Sequence, residues 1–293
     1  MALVVGSAAE STTFSYEEAF SRHAGLLSAE EQETLRHKKV AIIGMGGVGG
    51  VHLMTLARLG IGHFAIADPD TFELANMNRQ YGARQDTLGR SKADVMAEEV
   101  LKINPEARLQ VFREGIDEDS IEEFLNEADL FVDGIDFFSI GMRRRLFQRA
   151  ARNGQYAITA GPMGFSTAWL VFDPFGMSFD EYFDMYDGQS EIEQLIAFAV
   201  GLSPSLLHRP YIDLKHVNLR EQRGPSAGSA CNLCAGVVGA QAVRILLDRG
   251  DVRCVPRYSQ FDAYRGKMRC GRLWLGNRNP LQRLKRWWLR QVI

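Results

Sequence analysis

Three things are scarce in this sequence of 293 residues: cysteine, net charge and long apolar runs. Four cysteines are too few to staple so long a chain, which indicates reduced thiols and a cytoplasmic location. A formal net charge of -2 at pH 7 argues against a surface-wide attraction for DNA or RNA. No apolar run approaches the roughly 20 residues that span a bilayer, and the first residues lack the basic and apolar segments of a secretory signal.

Residues 39–161 alternate between apolar runs typical of buried strands and helical patterns. The predicted strands are KKVAIIG, HFAIAD, RLQVFRE, LFVDGID and YAITAG. Strands that alternate with helices predict a doubly wound, mostly parallel α/β sheet of the Rossmann type, covered on both faces. Further along, a helix rich in small residues precedes two strands, RYSQFDAY and KMRCGRLWLG, which predict an antiparallel addition at the C-terminus.

The strand–helix rhythm breaks after residue 175, where an acidic and aromatic run, FDEYFDMYDG, begins. We expect that segment to cross over and cover the substrate. The expected organisation is a disordered N-terminus, an ATP-binding domain, a crossing loop, a helix with an antiparallel hairpin, and a basic amphipathic helix. In the same order, these segments span residues 1–14, 15–175, 176–230, 231–278 and 279–293.

The last of these segments sorts its side chains by helical periodicity into an apolar face and a basic face. The apolar face has Leu281, Leu284, Trp288 and Val292, and the basic face has Arg283, Arg286 and Arg290. One interpretation is attachment to an anionic membrane surface or to a partner protein. The other is docking on its own domain or on a dimer mate, with the arginines in water.

The stretch AIIGMGGVGG contains the spacing G-x-G-x-x-G at Gly44, Gly46 and Gly49, with Gly47 between them. A lone match indicates only a tight turn, but this one follows a strand and opens a helix. In that context glycine lets the backbone approach phosphate, and the helix N-terminus favours negative charge. Asp68 ends the next predicted strand, where an acidic residue accepts ribose hydroxyls.

A nicotinamide dehydrogenase would fit these glycines equally well, and the charged residues that follow distinguish the two nucleotides. The run DPDTFELANMNRQ supplies Asp70 and Arg79, and Lys92 follows in GRSK. A triphosphate needs such cations and a metal, whereas backbone amides and a helix dipole largely suffice for a pyrophosphate. Asp136, which we expect at the end of the fourth strand, could hold Mg²⁺ through its carboxylate.

At these residues the sequence resembles the ubiquitin-activating-enzyme-like adenylating proteins of the ThiF/MoeB/HesA type. The matching motifs are GMGGVGG, DPDTFELANMNRQ, GRSKA and the strand-end GID. The resemblance covers about residues 15–175 and resumes from GVVGAQAVRILL through FDAYRGKMRCGRL. It implies a homodimer that uses ATP and Mg²⁺ to adenylate a carboxylate, usually the Gly-Gly tail of a ubiquitin-like or sulfur-carrier protein.

The resemblance also implies roles for individual residues. Asp68 would bind ribose, Arg79 and Lys92 would hold phosphates, and Asp136 would ligate Mg²⁺. A further group would order the loop and contact the nucleotide: Asn76, Asn78 and Gln80. Arg22, in FSRHAGL, resembles the arginine that reaches across the dimer to the partner's γ-phosphate, although a cation at a helix end is the simpler interpretation.

The cysteines depart from the family pattern. Many relatives carry two CxxC pairs for zinc, but here Cys231 and Cys234 form one pair, and no second pair follows the last hairpin. We therefore expect buried or free thiols rather than zinc. No cysteine lies between Ala168 and Ala230, where thioester-forming relatives carry their nucleophile. The sequence thus predicts adenylation without an obligatory covalent intermediate, because a reactive role for the pair would require a lowered thiol pKa.

Alternative functions remain open from sequence. The carboxylate could belong to a peptide or to a modified tRNA nucleoside. A dinucleotide-dependent oxidoreductase would leave Arg79 and Lys92 unexplained, and a non-catalytic scaffold subunit would have no need of both together with Asp136. Phe137 stands where relatives commonly have Asn, which puts contacts on the substrate side in doubt.

Overall fold

The computed structural model describes residues 13–216 and 224–292. Eight strands form one sheet in the order β3-β2-β1-β4-β5-β6-β7-β8. The first five in chain order pair in parallel, and β5 to β8 pair antiparallel. This confirms a doubly wound α/β fold with an antiparallel C-terminal addition. The strands are β1 Lys39–Ile43, β2 His63–Ala67, β3 Arg108–Phe112, β4 Leu130–Asp133, β5 Tyr156–Met163, β6 Ser166–Phe172, β7 Arg257–Asp262 and β8 Lys267–Arg272.

Helices cover both faces of the sheet. One face carries α3, α4 and α9, and the other carries α5, α6, α7 and α8. β4 is buried along its whole length because both of its faces are covered. The α-helices among the described residues are α1 Tyr16–Ala19, α2 Ala29–His37, α3 Gly47–Arg58, α4 Lys92–Ile103, α5 Ile121–Leu125, α6 Ile140–Arg152, α7 Phe179–Phe183, α8 Glu191–Leu202, α9 Gly228–Leu246 and α10 Pro280–Val292.

The crossing segment contains two α-helices, α7 and α8. One sequence expectation about elements needs correction. α9 is long and apolar enough to cross a membrane, contrary to the expectation that no run approaches that length. It packs on α3, β5 and β6, so its apolar surface belongs to the core of this domain. The predicted disordered N-terminus lies outside the described residues except for positions 13 and 14, as do residues 217–223 of the crossing segment.

The C-terminal helix α10 docks on its own domain, against α8. Its docking contacts are polar, which reverses the orientation that its periodicity suggested. They are Gln282 Nε2 to the Val200 carbonyl at 3.1 Å, Lys285 Nζ to the Pro204 carbonyl at 2.6 Å, Arg286 to Asp184 at 2.7 Å, and Arg290 to Glu193 at 2.7 Å.

Two leucines of the predicted apolar face of α10 point outward instead. Leu281 is 68% exposed and Leu284 is 60% exposed. Arg286, predicted to stand in water, is buried because Asp184 accepts its hydrogen bond. Of the two interpretations of this helix, the structure therefore shows docking on its own domain, and contact with a membrane stays an untested prediction.

Candidate functional site

A cavity of about 690 Å³ opens at the carboxyl ends of β1, β2 and β4. Ligands of open α/β sheets bind at this edge. We call one part of it the nucleotide half, which is lined by the glycine turn after β1 and by residues that follow β2 and β4. We call the other part the acyl half, which is lined by the end of β5, by α8, by residues 206–212 and by α10.

The glycine turn allows two backbone segments to touch. At Gly44 the backbone has φ +81°, and a Cβ there would lie 2.2 Å from the Gly134 carbonyl oxygen. A Cβ at Gly49 would lie 1.6 Å from the carbonyl oxygen of Gly44. The turn leads into α3, whose N-cap Gly46 has no side chain to satisfy the first N–H groups of the helix. Those N–H groups, at Gly47 and beyond, form a positive terminus at the wall of the cavity.

Asp68 ties the glycine turn to the loop after β2. Its side chain is buried, and its carboxylate accepts hydrogen bonds from the Met45 N–H at 2.6 Å and the Asp70 N–H at 2.8 Å. Burial raises the pKa of this carboxyl above its ordinary value. An ionised carboxylate has about four acceptor positions, so the two that remain can receive ribose hydroxyls.

The two predicted phosphate-binding cations both line the nucleotide half. Lys92 is the first residue of α4 and is buried, and its Nζ lies 2.8 Å from Asp70 Oδ2. Arg79 is half-buried and donates hydrogen bonds to the Ala75 carbonyl and to Asn78 Oδ1. Hydrogen bonds and an ion pair to neighbouring residues therefore hold both cations beside the glycine turn.

Gln80 lies at the wall of the nucleotide half beside the glycine turn. It is only 7% exposed, and its Oε1 is buried without a hydrogen-bond partner among the described residues. Its amide faces Gly46, where a Cβ would lie 3.5 Å from Nε2.

Three predicted residues do not line the cavity. Asn76 Oδ1 accepts from the Glu73 N–H at 3.0 Å, and Asn78 Nδ2 donates to the Ser226 carbonyl at 3.0 Å. They order the loop, as expected, but within this chain they do not reach the space where a nucleotide would lie. Arg22 is exposed on a short 3₁₀ helix, Ser21–His23, and also stands apart from the cavity of its own chain.

Asp136 lines the nucleotide half, but it does not end the fourth strand as the sequence indicated. β4 ends at Asp133, and Asp136 lies three residues further on, in the loop before α6. The Asp136 side chain is exposed, and its Oδ1 accepts from the Phe138 N–H at 3.0 Å. The described residues contain no group of three or more His, Cys, Asp or Glu placed for a metal. One free carboxylate nevertheless suits Mg²⁺, which usually takes its other ligands from phosphate and water.

A buried arginine that the sequence reading did not single out shapes this loop. The Arg143 side chain is 2% exposed and its Nε lies 2.8 Å from Asp133 Oδ2. Its Nη2 also donates to the carbonyls of Ile135 at 2.6 Å and Asp136 at 3.1 Å. The guanidinium lies 4.4 Å from the centre of the Phe198 ring, on α8. Arg143 therefore links the carboxylate loop of the nucleotide half to the helix that walls the acyl half.

The acyl half has mostly apolar walls. They come from the end of β5, from α8 and from α10, and include Met163, Leu195, Phe198, Leu202, Trp288 and Leu289. Phe137 packs against Phe198 with ring centres 5.4 Å apart, at the boundary between the two halves. The side chains that bring polar atoms into the acyl half are His208 and Arg209, with Arg209 stacked over the Trp288 ring at 5.5 Å.

The cysteine pair lies at the start of α9 in a state unsuited to nucleophilic attack. Cys231 lines the cavity, yet burial raises the pKa of its thiol. Cys234 is fully buried with Sγ 3.2 Å from Thr167 Oγ1, and burial raises its pKa as well. These shifts are opposite in direction to the lowered pKa that a reactive cysteine needs.

Most of this region falls within a known family profile. The profile described as the ThiF family matches residues 20–283. A tRNA threonylcarbamoyladenosine dehydratase from Haemophilus influenzae is 33% identical over 153 residues, which are 52% of this chain and 58% of that protein. A probable molybdopterin-synthase adenylyltransferase from Porphyra purpurea is 34% identical over 134 residues, which are 44% of this chain and 35% of that protein. The chain spans about half the length, or less, of these curated relatives.

Solved structures share the architecture at lower identity. E. coli MccB with MccA matches with a TM-score of 0.67 and 21% identity, covering 90% of this chain and 73% of that one. E. coli MccB with ATP matches with a TM-score of 0.62 and 20% identity, covering 84% and 65%. At this level of identity the likeness establishes a common fold.

Proposed function

The chain belongs to the ThiF family, and we propose that it activates a carboxylate with ATP, forming an acyl-adenylate and releasing pyrophosphate. One observation supports this most strongly. The glycine turn, Arg79, Lys92 and Asp136 all line one cavity. Such a set suits three linked phosphoryl groups better than the pyrophosphate of a dinucleotide.

The chemistry asks little of the protein beyond placement and charge. The substrate carboxylate is already an anion, so its oxygen attacks the α-phosphorus without a side chain acting as base. Arg79, Lys92 and the N-terminus of α3 would neutralise charge on the phosphates as pyrophosphate leaves. Asp136 would hold Mg²⁺, which when bound supplies further charge neutralisation at the phosphate oxygens.

For the substrate, we propose the C-terminal carboxylate of a small protein or peptide. The fold is shared with MccB, which has been solved with MccA, and a relative carries the name of an adenylyltransferase. The acyl half extends from the phosphate region towards α8 and α10, which gives room for a chain behind its carboxylate. We also propose a homodimer in which the exposed Arg22 reaches the nucleotide of the partner subunit.

A carboxylate on a modified tRNA nucleoside is the second candidate. It is favoured by the 33% identity to a tRNA threonylcarbamoyladenosine dehydratase. The apolar walls of the acyl half and the net charge of -2 favour the first candidate, because nucleic-acid sites are strongly basic.

Exchange of labelled pyrophosphate into ATP tests the proposal. The assay would compare small carrier proteins that end in Gly-Gly with their tail-deleted forms, capped peptides and bulk tRNA. We expect tail-dependent exchange that falls by about 10²–10³-fold in Arg79→Ala. Arg152→Ala, at the far end of α6 and outside the cavity, is the control that keeps full exchange. An absence of exchange with every carboxylate would refute the proposal, and exchange with tRNA alone would favour the second candidate.

A further inference from the structure

A chain of buried hydrogen bonds runs from β7 into the acyl half. The Ser205 N–H donates to Gln260 Oε1 at 2.7 Å, and Gln260 Nε2 donates to Ser203 Oγ at 2.6 Å. Ser203 Oγ in turn lies 3.3 Å from Nδ1 of His208, a residue that lines the cavity. Gln260 and Ser203 are both fully buried, so the bond between them is shielded from bulk water.

The direction of each bond in this chain can be derived. A backbone N–H can only donate, so the amide oxygen of Gln260 must face Ser205 and its NH₂ must face Ser203. Ser203 Oγ therefore accepts from Gln260. Among the described residues, Nδ1 of His208 is the one other hydrogen-bond partner of this buried hydroxyl, so we assign the hydroxyl proton to Nδ1. A neutral imidazole carries one proton, so with Nδ1 as acceptor the proton of His208 resides on Nε2.

The imidazole is neutral at physiological pH. Burial lowers the pKa of His208 to about 4, the negative charge of Asp262 opposes this shift in part, and the neighbouring Arg209 lowers the pKa to a smaller extent. Nε2 makes no hydrogen bond with any described residue, and His208 lines the acyl half.

We infer that His208 is a specificity-determining residue, whose Nε2–H donates to an acceptor oxygen on the body of the carboxylate substrate. This inference rests on the proposed function and narrows it. Leu202, Leu206 and Ile212 also line the cavity, and their side chains carry no acceptor for this N–H. A site built around a buried donor rejects analogues that lack the acceptor, because the donor is then left unpaired. The fitting substrates are acids with an amide carbonyl behind the carboxylate, as in a peptide tail, rather than plain alkanoic acids.

Nuclear magnetic resonance of ¹⁵N-histidine-labelled full-length protein tests the tautomer without any substrate. His208→Gln identifies the His208 signals by their loss. We expect a neutral ring protonated at Nε2 throughout pH 6–8, and a mixture of tautomers in Ser203→Ala, which removes the donor to Nδ1. A ring protonated at Nδ1, or charged at pH 7, would overturn the inference.

Pyrophosphate exchange with a matched pair of probes tests the selection itself. The probes are acetyl-Gly-Gly and its analogue in which a trans-alkene replaces the amide nearest the carboxylate, which keeps the shape and charge but has no carbonyl oxygen there. We expect wild-type kcat/KM to favour the amide probe by at least about tenfold, the value of one hydrogen bond. His208→Gln, which keeps an N–H near that position, should retain the preference, and His208→Phe should reduce it to less than about twofold.

The outcomes distinguish a failure of the inferred role of His208 from a failure of the proposed function. A preference that survives unchanged in His208→Phe contradicts the inference, whatever the absolute rate of that variant. A wild-type protein that exchanges neither probe contradicts the proposed function for peptide-like acids, and the magnetic resonance result then decides the assignment of His208 by itself.

Discussion

The two halves of the cavity are built in different ways. The nucleotide half is made by short segments that directly follow β1, β2 and β4, and it is rich in glycine and charge. The acyl half is made by elements far apart in the chain, namely β5, α8, the 206–212 segment and α10, and it is mostly apolar. Local motifs fix the nucleotide half, as expected for a site that takes a common cofactor. The acyl half is not fixed by such motifs and is free to vary with the proposed acyl substrate.

Gly49→Ala should have the largest effect, since it strikes the backbone contact on which the nucleotide half depends. The new Cβ would lie 1.6 Å from the Gly44 carbonyl oxygen, and only backbone can move to relieve it. We expect a loss of at least about 3 kcal/mol in the free energy of unfolding, measured by urea titration. Gly236→Ala is the control, because nothing lies within 4 Å of its Cβ. Equal stability of both variants would show that the turn is not tightly built.

Asp136→Ala should leave the fold intact and remove the exchange reaction. The side chain is exposed, so we expect an unchanged melting temperature and a loss of about 10²–10³-fold in metal-dependent pyrophosphate exchange. Asp119→Ala, another exposed carboxylate in a loop outside the cavity, is the matched control. Near-normal exchange in Asp136→Ala would remove this residue from the proposed metal site.

Two adjacent tryptophans on α10 allow the cavity wall and the outer surface of this helix to be tested separately. Trp288 lines the cavity, whereas Trp287 is 58% exposed and does not. We expect Trp288→Ala to raise the KM for the carboxylate roughly tenfold while the KM for ATP stays constant. Trp287→Ala should leave both constants unchanged. A parallel rise in the KM for ATP would mean that the two halves are not separable.

The smallest effect concerns stability at acidic pH. His52, on α3, is fully buried with both ring nitrogens unpartnered among the described residues, and burial lowers its pKa to about 3. Between pH 6.5 and 3 the unfolded chain thus binds more protons than the folded one, so the free energy of unfolding falls as pH falls.

Replacing this imidazole tests that sign. We expect His52→Leu to remove a slope of about 1.4 kcal/mol per pH unit below pH 6, measured by urea titration at pH 7.5, 6 and 5. His37→Gln, at an exposed position, should keep the wild-type slope. An unchanged slope in His52→Leu would show that other groups carry the acid sensitivity.

Sequence motifs anticipated the nucleotide half because its parts lie next to strand ends. Gly44, Asp68, Arg79 and Lys92 each follow a predicted strand within one connection, and parallel topology then brings them to one edge. The sequence places the end of β4 too late. The pattern LFVDGID continues past Asp133, whereas pairing with β1 and β5 stops at that residue.

The residues of the acyl half could not be predicted from sequence motifs in the same way. Gln260 meets Ser203 across 57 positions of chain, and no local pattern encodes such a contact. The three consecutive arginines of α6, at positions 143–145, illustrate the same limit, since successive helical residues point about 100° apart. Arg143 turns inward to Asp133, and Arg144 turns to Asp180 on α7. Only the packed structure shows which of these side chains supports the site.

The polar attachment of α10 has a consequence for experiments in solution. Two ion pairs and two hydrogen bonds to carbonyl groups hold this helix on the domain, while its Leu281 and Leu284 side chains face outward. Added salt screens partly exposed ion pairs but strengthens hydrophobic burial. Concentrated sodium chloride should thus loosen the attachment of α10, which forms one wall of the acyl half, while the sheet stays intact. We expect the selectivity between carboxylate substrates to fall at a lower salt concentration than the affinity for nucleotide.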